Sequence, residues 1–352
     1  MRLKKDVNMG KSYFTPQISK VLYAIAIMLM VGEHIFYSDR FQGYIALRPY
    51  KGIALGTYLS LYASCVSIYS FITGYGLKQK LKESISLKER YCWTGNKLLK
   101  FMTNYWAVFI PAVLIGIFSG GVHCSYVEIL WNGLGISHSI NYEWWYVRFY
   151  VIVLCLYPFM DWIHCMLKKK MTFIDGVIVI SCITITTIPA LHTRFIYNMI
   201  MTIVGYECAE IGVYKLKPAS GLWGWIIVSV IYPIKWFLVL FLDKYSHNVL
   251  DVILVPLMVY GVICIYNSSF IKKGNWFACR WCLNLLSRYS MMIWLIHSFL
   301  IYYYAHDVML RVKYGILIYL LTIIISAGIG VLINYMKGIG RFCFHKRHKR
   351  LK

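Results

Sequence analysis

Apolar runs recur along this 352-residue chain from one end to the other, with only short polar stretches between them. A helix crossing a hydrocarbon core of about 30 Å needs about 20 apolar residues. On that measure the pattern predicts spans at about 18–37, 52–76, 101–119, 144–166, 171–190, 195–214, 219–241, 249–269, 289–305 and 314–336. The longest intervening loops are residues 77–100 and 120–142, so no soluble domain fits between spans. The expected fold is all-α: a polytopic transmembrane helical bundle of about ten spans, one integral membrane domain over residues 1–352 that ends in a basic tail at 337–352. Gly116 and Gly120 have the GxxxG spacing that marks close helix packing.

Composition agrees: 59% of residues are hydrophobic, 14% are charged and the mean hydropathy is +0.60. The net charge of +23 would suit a nucleic-acid partner if it were gathered on one face. It is distributed by topology instead. With a cytoplasmic N-terminus, alternate loops and both ends collect 28 of the 37 Lys and Arg, and the opposite loops collect seven. That bias follows the positive-inside rule and predicts that both termini are cytoplasmic, with the basic excess serving orientation and contact with anionic membrane lipid. No nucleic-acid role is expected. The tail RFCFHKRHKRLK is expected to face lipid or to be disordered. The first apolar run lacks an A-x-A-like exit and is expected to be retained as a helix. The eleven cysteines lie mainly in apolar segments, and a basic tail explains Cys343, His345 and His348. Neither structural zinc nor a disulfide framework is expected.

The first span, AIAIMLMVGEHIFYS, carries Glu33 and His34 side by side. An ionisable residue at the centre of a span costs roughly 2.5–3.5 kcal/mol on insertion scales, so these groups need water or a task. At 100° per residue, Lys20, Tyr23 and His34 share one helix face, with Lys20 roughly 21 Å from His34 along the axis. Glu33 is rotated by about 100° from His34 and addresses another neighbour. The plainer alternative is that both cap the span near the outer headgroups. A histidine titrating near neutrality beside a carboxylate nonetheless suits proton removal from a hydroxyl. His297, in SMMIWLIHSFLIYYY, is either a packing histidine or part of a site. Within NYEWWYVRFY, Trp144 and Trp145 belong to an interfacial belt or, with Glu143 and Arg148, line a sugar site. Lys97 and Lys100 share a helix face at a cytoplasmic mouth, as membrane anchors or as a clamp for phosphate.

Several stretches in order resemble the acyltransferase-3 family of integral membrane acyltransferases. YAIAIMLMVGEH resembles its first-helix pattern of a basic residue, ten residues and a histidine. SIYSFITGYGLKQK resembles its SGY-type segment, with Thr73-Gly74-Tyr75 at the motif. KLLKFMTNYWAVFIP, LSRYSMMIWLIHSF and NYEWWYVRFYVIVLCLYP resemble its basic run into a proline, its late histidine segment and its aromatic fourth span. The resemblance implies O-acetyl transfer from cytosolic acetyl-CoA, a co-substrate and not a resident cofactor, to a cell-surface or exported polysaccharide or a lipid-linked glycan. The setting it implies is a bacterial plasma membrane. His34 takes the place of the essential histidine, with Glu33 beside it. Lys97 and Lys100 take the basic positions that serve CoA phosphates, and His297 that of the late histidine. The family's basic residue eleven before the histidine is Tyr23 here, and Lys20, one turn earlier on the same face, is expected to substitute.

The expected mechanism is direct transfer, with Lys20, Tyr23, Lys97 and Lys100 at the donor, His34 as general base tuned by Glu33, and Trp144, Trp145, Arg148 and His297 at the acceptor. Two alternatives stand beside it. A transporter or flippase of a glycan precursor would join Lys235, Glu207, Glu210 and Arg148 in one polar pathway. A non-catalytic partner in polysaccharide synthesis would need no CoA.

Overall fold

A computed structural model describes residues 12–36, 64–80, 86–119, 124–167, 194–241, 246–269, 271, 274 and 277–350. Among the described residues the regular elements are helices, with no strand. In chain order they are α1 (Pro16–Phe36), α2 (Ser64–Lys80), α3 (Leu87–Phe118), α4 (Tyr126–Gly133), α5 (Trp145–Leu167), α6 (Arg194–Ile211), α7 (Gly221–Phe241), α8 (Ser246–Asn267), α9 (Phe277–Ile301), α10 (His306–Leu310) and α11 (Gly315–Arg350). Short 3₁₀ turns occupy Tyr142–Trp144 and Val213–Lys215.

The expected spans coincide with helices, except for 171–190 and the stretch 52–63, which lie outside the described residues, as does Gly120 of the GxxxG pair. Among the described residues, five segments are long and apolar enough to cross a membrane: Pro16–Phe36, Leu87–Phe118, Tyr142–Met166, Val249–Asn267 and Gly315–Ile339. Two helices start well before their apolar runs, α3 at Leu87 and α9 at Phe277. Apolarity marks the part of a helix that leaves water, whereas the helix itself begins where its first N–H groups are satisfied. For α3 that cap is reciprocal: Ser86 N–H donates to the Glu89 carboxylate at 2.9 Å, and Glu89 N–H to the Ser86 hydroxyl at 3.3 Å. Lys97 and Lys100 therefore lie within α3, ahead of its apolar run. The basic tail likewise continues α11 as helix to Arg350.

The chain forms two compact groups, each described by itself. The first comprises residues 1–30, 53–90 and 158–287, and the second 31–52, 91–157 and 288–352. In the first group α2 lies along α6, and α7 along α8. The α2–α6 crossing is possible because both helices lack a side chain where they meet. A Cβ on Gly74 would overlap the carbonyl oxygen of Thr202, and one on Gly205 that of Phe71. In the same group, Lys235 is buried and closed on Asp251, with Nζ 2.6 Å from Oδ1 and 2.7 Å from the Ser64 hydroxyl. Ser67 donates to the other Asp251 oxygen at 2.8 Å. A buried ion pair tolerates its desolvation only when its remaining hydrogen bonds are made, and here the two serines make them. A second polar cluster joins Lys78 to Glu210 at 2.6 Å, Tyr206 to Asp161 at 2.7 Å, and Arg90 to Asp161.

The second group is built on an aromatic core of Tyr105, Phe109, Trp144 and Phe299. Polar ends of aromatic residues bind the elements: Tyr105 Oη donates to Asn132 O at 2.8 Å, and Trp106 Nε1 to Gly133 O at 2.7 Å, fastening α4 to α3. Trp144 Nε1 donates to Leu295 O at 3.2 Å, seating the 3₁₀ turn on α9.

Gly74→Ala should lower stability in detergent by about 1–3 kcal/mol through overpacking. Gly76→Ala, where a Cβ meets nothing within 4 Å, should raise it by up to about 1 kcal/mol through helix propensity. Thermal unfolding of the two purified variants distinguishes them. Asp251→Ala, which strands the Lys235 charge, should cost about 3–5 kcal/mol, and the double change Lys235→Met with Asp251→Leu should recover most of it by the same measurement.

Candidate active site

His34 lies in the last turn of α1, with its side chain only 19% exposed. Its Nδ1 is 2.9 Å from the hydroxyl of Tyr302, and that hydroxyl is 2.8 Å from the backbone carbonyl of His34 itself. A carbonyl can only accept, so the single phenol proton is directed to it, and Nδ1–H is left to donate to the phenol oxygen. The neutral ring then carries its lone pair on Nε2. That nitrogen faces the carboxylate of Glu143, whose Oε2 is 3.5 Å away: ion-pair range, longer than a hydrogen bond. An imidazole in this state can take one proton.

Glu143 is brought there by the chain just before α5. Asn141 has an extended backbone, and its side-chain oxygen accepts from Glu143 N–H at 3.1 Å, starting the 3₁₀ turn. Its amide in turn donates to Ser298 Oγ at 2.7 Å. Both Asn141 and Ser298 are fully buried. A continuous chain of contacts thus runs from α9 through Asn141 and Glu143 to His34.

His297, the neighbour of Ser298, is also fully buried, and its ring centre stands 4.9 Å from that of His34. Its Nδ1 is 2.6 Å from Trp294 O, one turn back in α9, and so carries the proton. Its Nε2 is buried and has no hydrogen-bond partner among the described residues.

The structure therefore assembles two expected residues, His34 and His297, and adds Glu143 as the carboxylate facing the base. Glu33 is half-buried one position earlier in α1. Trp144 is a core residue with its N–H already committed, while Trp145 is half-buried and Arg148 exposed on the first turn of α5. Lys20 is exposed near the start of α1, and Tyr23 lies against Tyr69 with ring centres 5.5 Å apart. Lys97 is half-buried with its ammonium 5.3 Å from the centre of the Trp93 ring, and Lys100, on the same face of α3, is exposed. Of the residues a transport path would have joined, Lys235 is closed on Asp251 and Glu210 on Lys78.

Sequence reasoning missed Tyr302, Asn141, Ser298 and His138. His138, in the loop before the 3₁₀ turn, stacks edge-on against Tyr142 at 5.5 Å. Burial holds its imidazole below the usual value, with the Arg148 charge adding to that effect and Glu143 opposing it.

Among the described residues no group of three or more His, Cys, Asp or Glu is arranged to hold a metal ion. Cys279 and Cys282, a C-x-x-C pair at the start of α9, are exposed thiols. Residues 21–335 match a family model described as an acyltransferase domain. No curated protein and no solved structure matches the chain. A match extending from α1 to the apolar end of α11 takes in every helix described, at least in part, together with His34 and His297, and the chain accordingly belongs to the acyltransferase-3 family and is a membrane acyltransferase.

Proposed function

We propose that the protein transfers acetyl from cytosolic acetyl-CoA to a hydroxyl of a cell-surface or exported polysaccharide, or of its lipid-linked precursor, in a bacterial plasma membrane. The observation that supports this most directly is the state of His34: Nδ1 is a fixed donor, Nε2 is the available base, and the Glu143 carboxylate stands beside it. His34 Nε2 takes the proton of the acceptor hydroxyl as its oxygen attacks the thioester carbonyl carbon. The new ester C–O bond forms, the C–S bond breaks, and the imidazolium returns the proton to the departing thiolate, giving CoA as the free thiol. Glu143 holds the positive charge during the interval. Positioned proton transfer of this kind contributes about 10²–10⁴-fold.

The donor end rests on charge. Lys97 and Lys100 offer two ammonium groups one turn apart on α3, a suitable pair for CoA phosphates. The assignment of Lys20 and Tyr23 to the donor rests on the first-helix pattern alone. Ten spans with both termini in the cytoplasm follow from the charge bias and put these lysines on the side where acetyl-CoA is found. At the acceptor end Trp145 and Arg148, near Glu143 in the chain, are the groups assigned to sugar. Trp144, expected at the acceptor as well, is buried with its N–H engaged and serves the core instead. Glu33 is retained as a secondary influence on the base.

Purified His34→Ala should bind acetyl-CoA as wild type does and turn it over at least about 100-fold more slowly, measured by release of radiolabelled acetate or transfer to added glycan. Glu143→Gln should lose more activity than Glu33→Gln; equal losses would remove Glu143 from the mechanism. Lys97→Ala and Lys100→Ala should raise KM for acetyl-CoA several-fold with kcat nearly unchanged, an effect that weakens as salt is added.

A further inference from the structure

A buried nitrogen with a lone pair and no partner is costly to keep, because it has given up water and gained nothing in return. His297 Nε2 is such an atom. Its ring is held by the Nδ1–H bond to Trp294 O, so Nε2 is the edge turned away from its own helix backbone. That ring is in contact range of His34, whose Nε2 is the base in the reading above. Two neighbouring rings therefore each carry an acceptor nitrogen, and only one of them is used by proton transfer.

The unused nitrogen specifies its ligand: it must be met by an O–H or N–H. The acetyl thioester offers none, since its carbonyl oxygen and sulfur only accept. The nearest donor group on the CoA arm is an amide N–H, separated from the reacting carbonyl carbon by the sulfur and two methylenes. A hydroxyl on the carbon next to the reacting one lies nearer, since vicinal sugar oxygens are only a C–C bond further along the chain. We propose that His297 Nε2 accepts a hydrogen bond from a second hydroxyl adjacent to the one acetylated, so that the site selects acceptors carrying a vicinal diol. This rests on the acyl-transfer reading and on His34 as its base. His297 is in this role a specificity-determining residue, not the proton acceptor.

A site built around a buried acceptor rejects a ligand that cannot satisfy it, here by at least about tenfold in kcat/KM. The test compares cis-cyclohexane-1,2-diol with cyclohexanol as acceptors for radiolabelled acetyl from acetyl-CoA, using the full chain in detergent. Wild type should favour the diol by tenfold or more. His297→Phe, which fills the volume without an acceptor, should bring the ratio close to one. His297→Gln, whose amide oxygen reaches about as far as Nε2, should restore part of it. A wild-type ratio near one overturns the inference and transfers the nitrogen to the donor's amide or to a water molecule. A ratio that survives His297→Phe also overturns it. If wild type consumes no acetyl-CoA with either acceptor or with water, the acyl-donor reading fails first and the diol inference falls with it, which is a different result from turnover without selectivity.

Discussion

A polar side chain that has left water must be satisfied by the protein around it, and inside an apolar bundle the supply of partners is small. Much of the structure of each group, taken by itself, can be derived from that shortage. Lys235 and Asp251 draw in Ser64 and Ser67 until each oxygen is occupied. Glu143 is brought in by Asn141, and Asn141 is in turn held by Ser298. Where partners are supplied fully, the polar group fixes helices in place; His297 Nε2 has no such partner among the described residues.

Two kinds of helix contact coexist in this arrangement. In the first group of residues, α2 and α6 approach through paired glycines, so backbone meets backbone and there is little space for anything else. In the second, helices are held apart by large rings, and the indole and phenol groups end on backbone carbonyls of α4 and α9. Bulky separators with directional ends set the spacing between elements, and the two imidazoles belong to this group. The difference follows from residue size alone: glycine permits close crossing, and aromatic residues fix both spacing and angle.

Much of the fold was legible because hydropathy is a long-range average, and the chain's apolar runs are long. The helix starts were less so. A span is defined by what it excludes, and a helix by its hydrogen bonds, so α3 extends back to the Ser86–Glu89 cap through residues too polar to enter a bilayer. His34 was legible for the opposite reason: a titratable group in an apolar run is conspicuous. Its partners were not. Glu143 lies more than a hundred residues away, and no periodicity connects it to α1. Glu33 adjoins His34 in sequence, yet a helix turns adjacent residues by about 100°. Tyr302 is five residues past His297 and just beyond the last residue of α9, so no helical spacing within that motif pointed to it. The close-packing glycines were equally hidden, since Gly74 and Gly205 form a motif only across two helices.

The phenol of Tyr302 bonds both to the ring of His34 and to that residue's own carbonyl. The proton that decides which imidazole nitrogen is basic is therefore governed by the main chain of α1. If α1 turned or slid by a fraction of a residue relative to α9, the carbonyl would withdraw, the phenol proton would be released to Nδ1, and the lone pair would move from Nε2 to the other side of the ring. Which end of this one ring holds the hydrogen atom is thus tied to helix register, because the group that decides it is bonded to the main chain of α1.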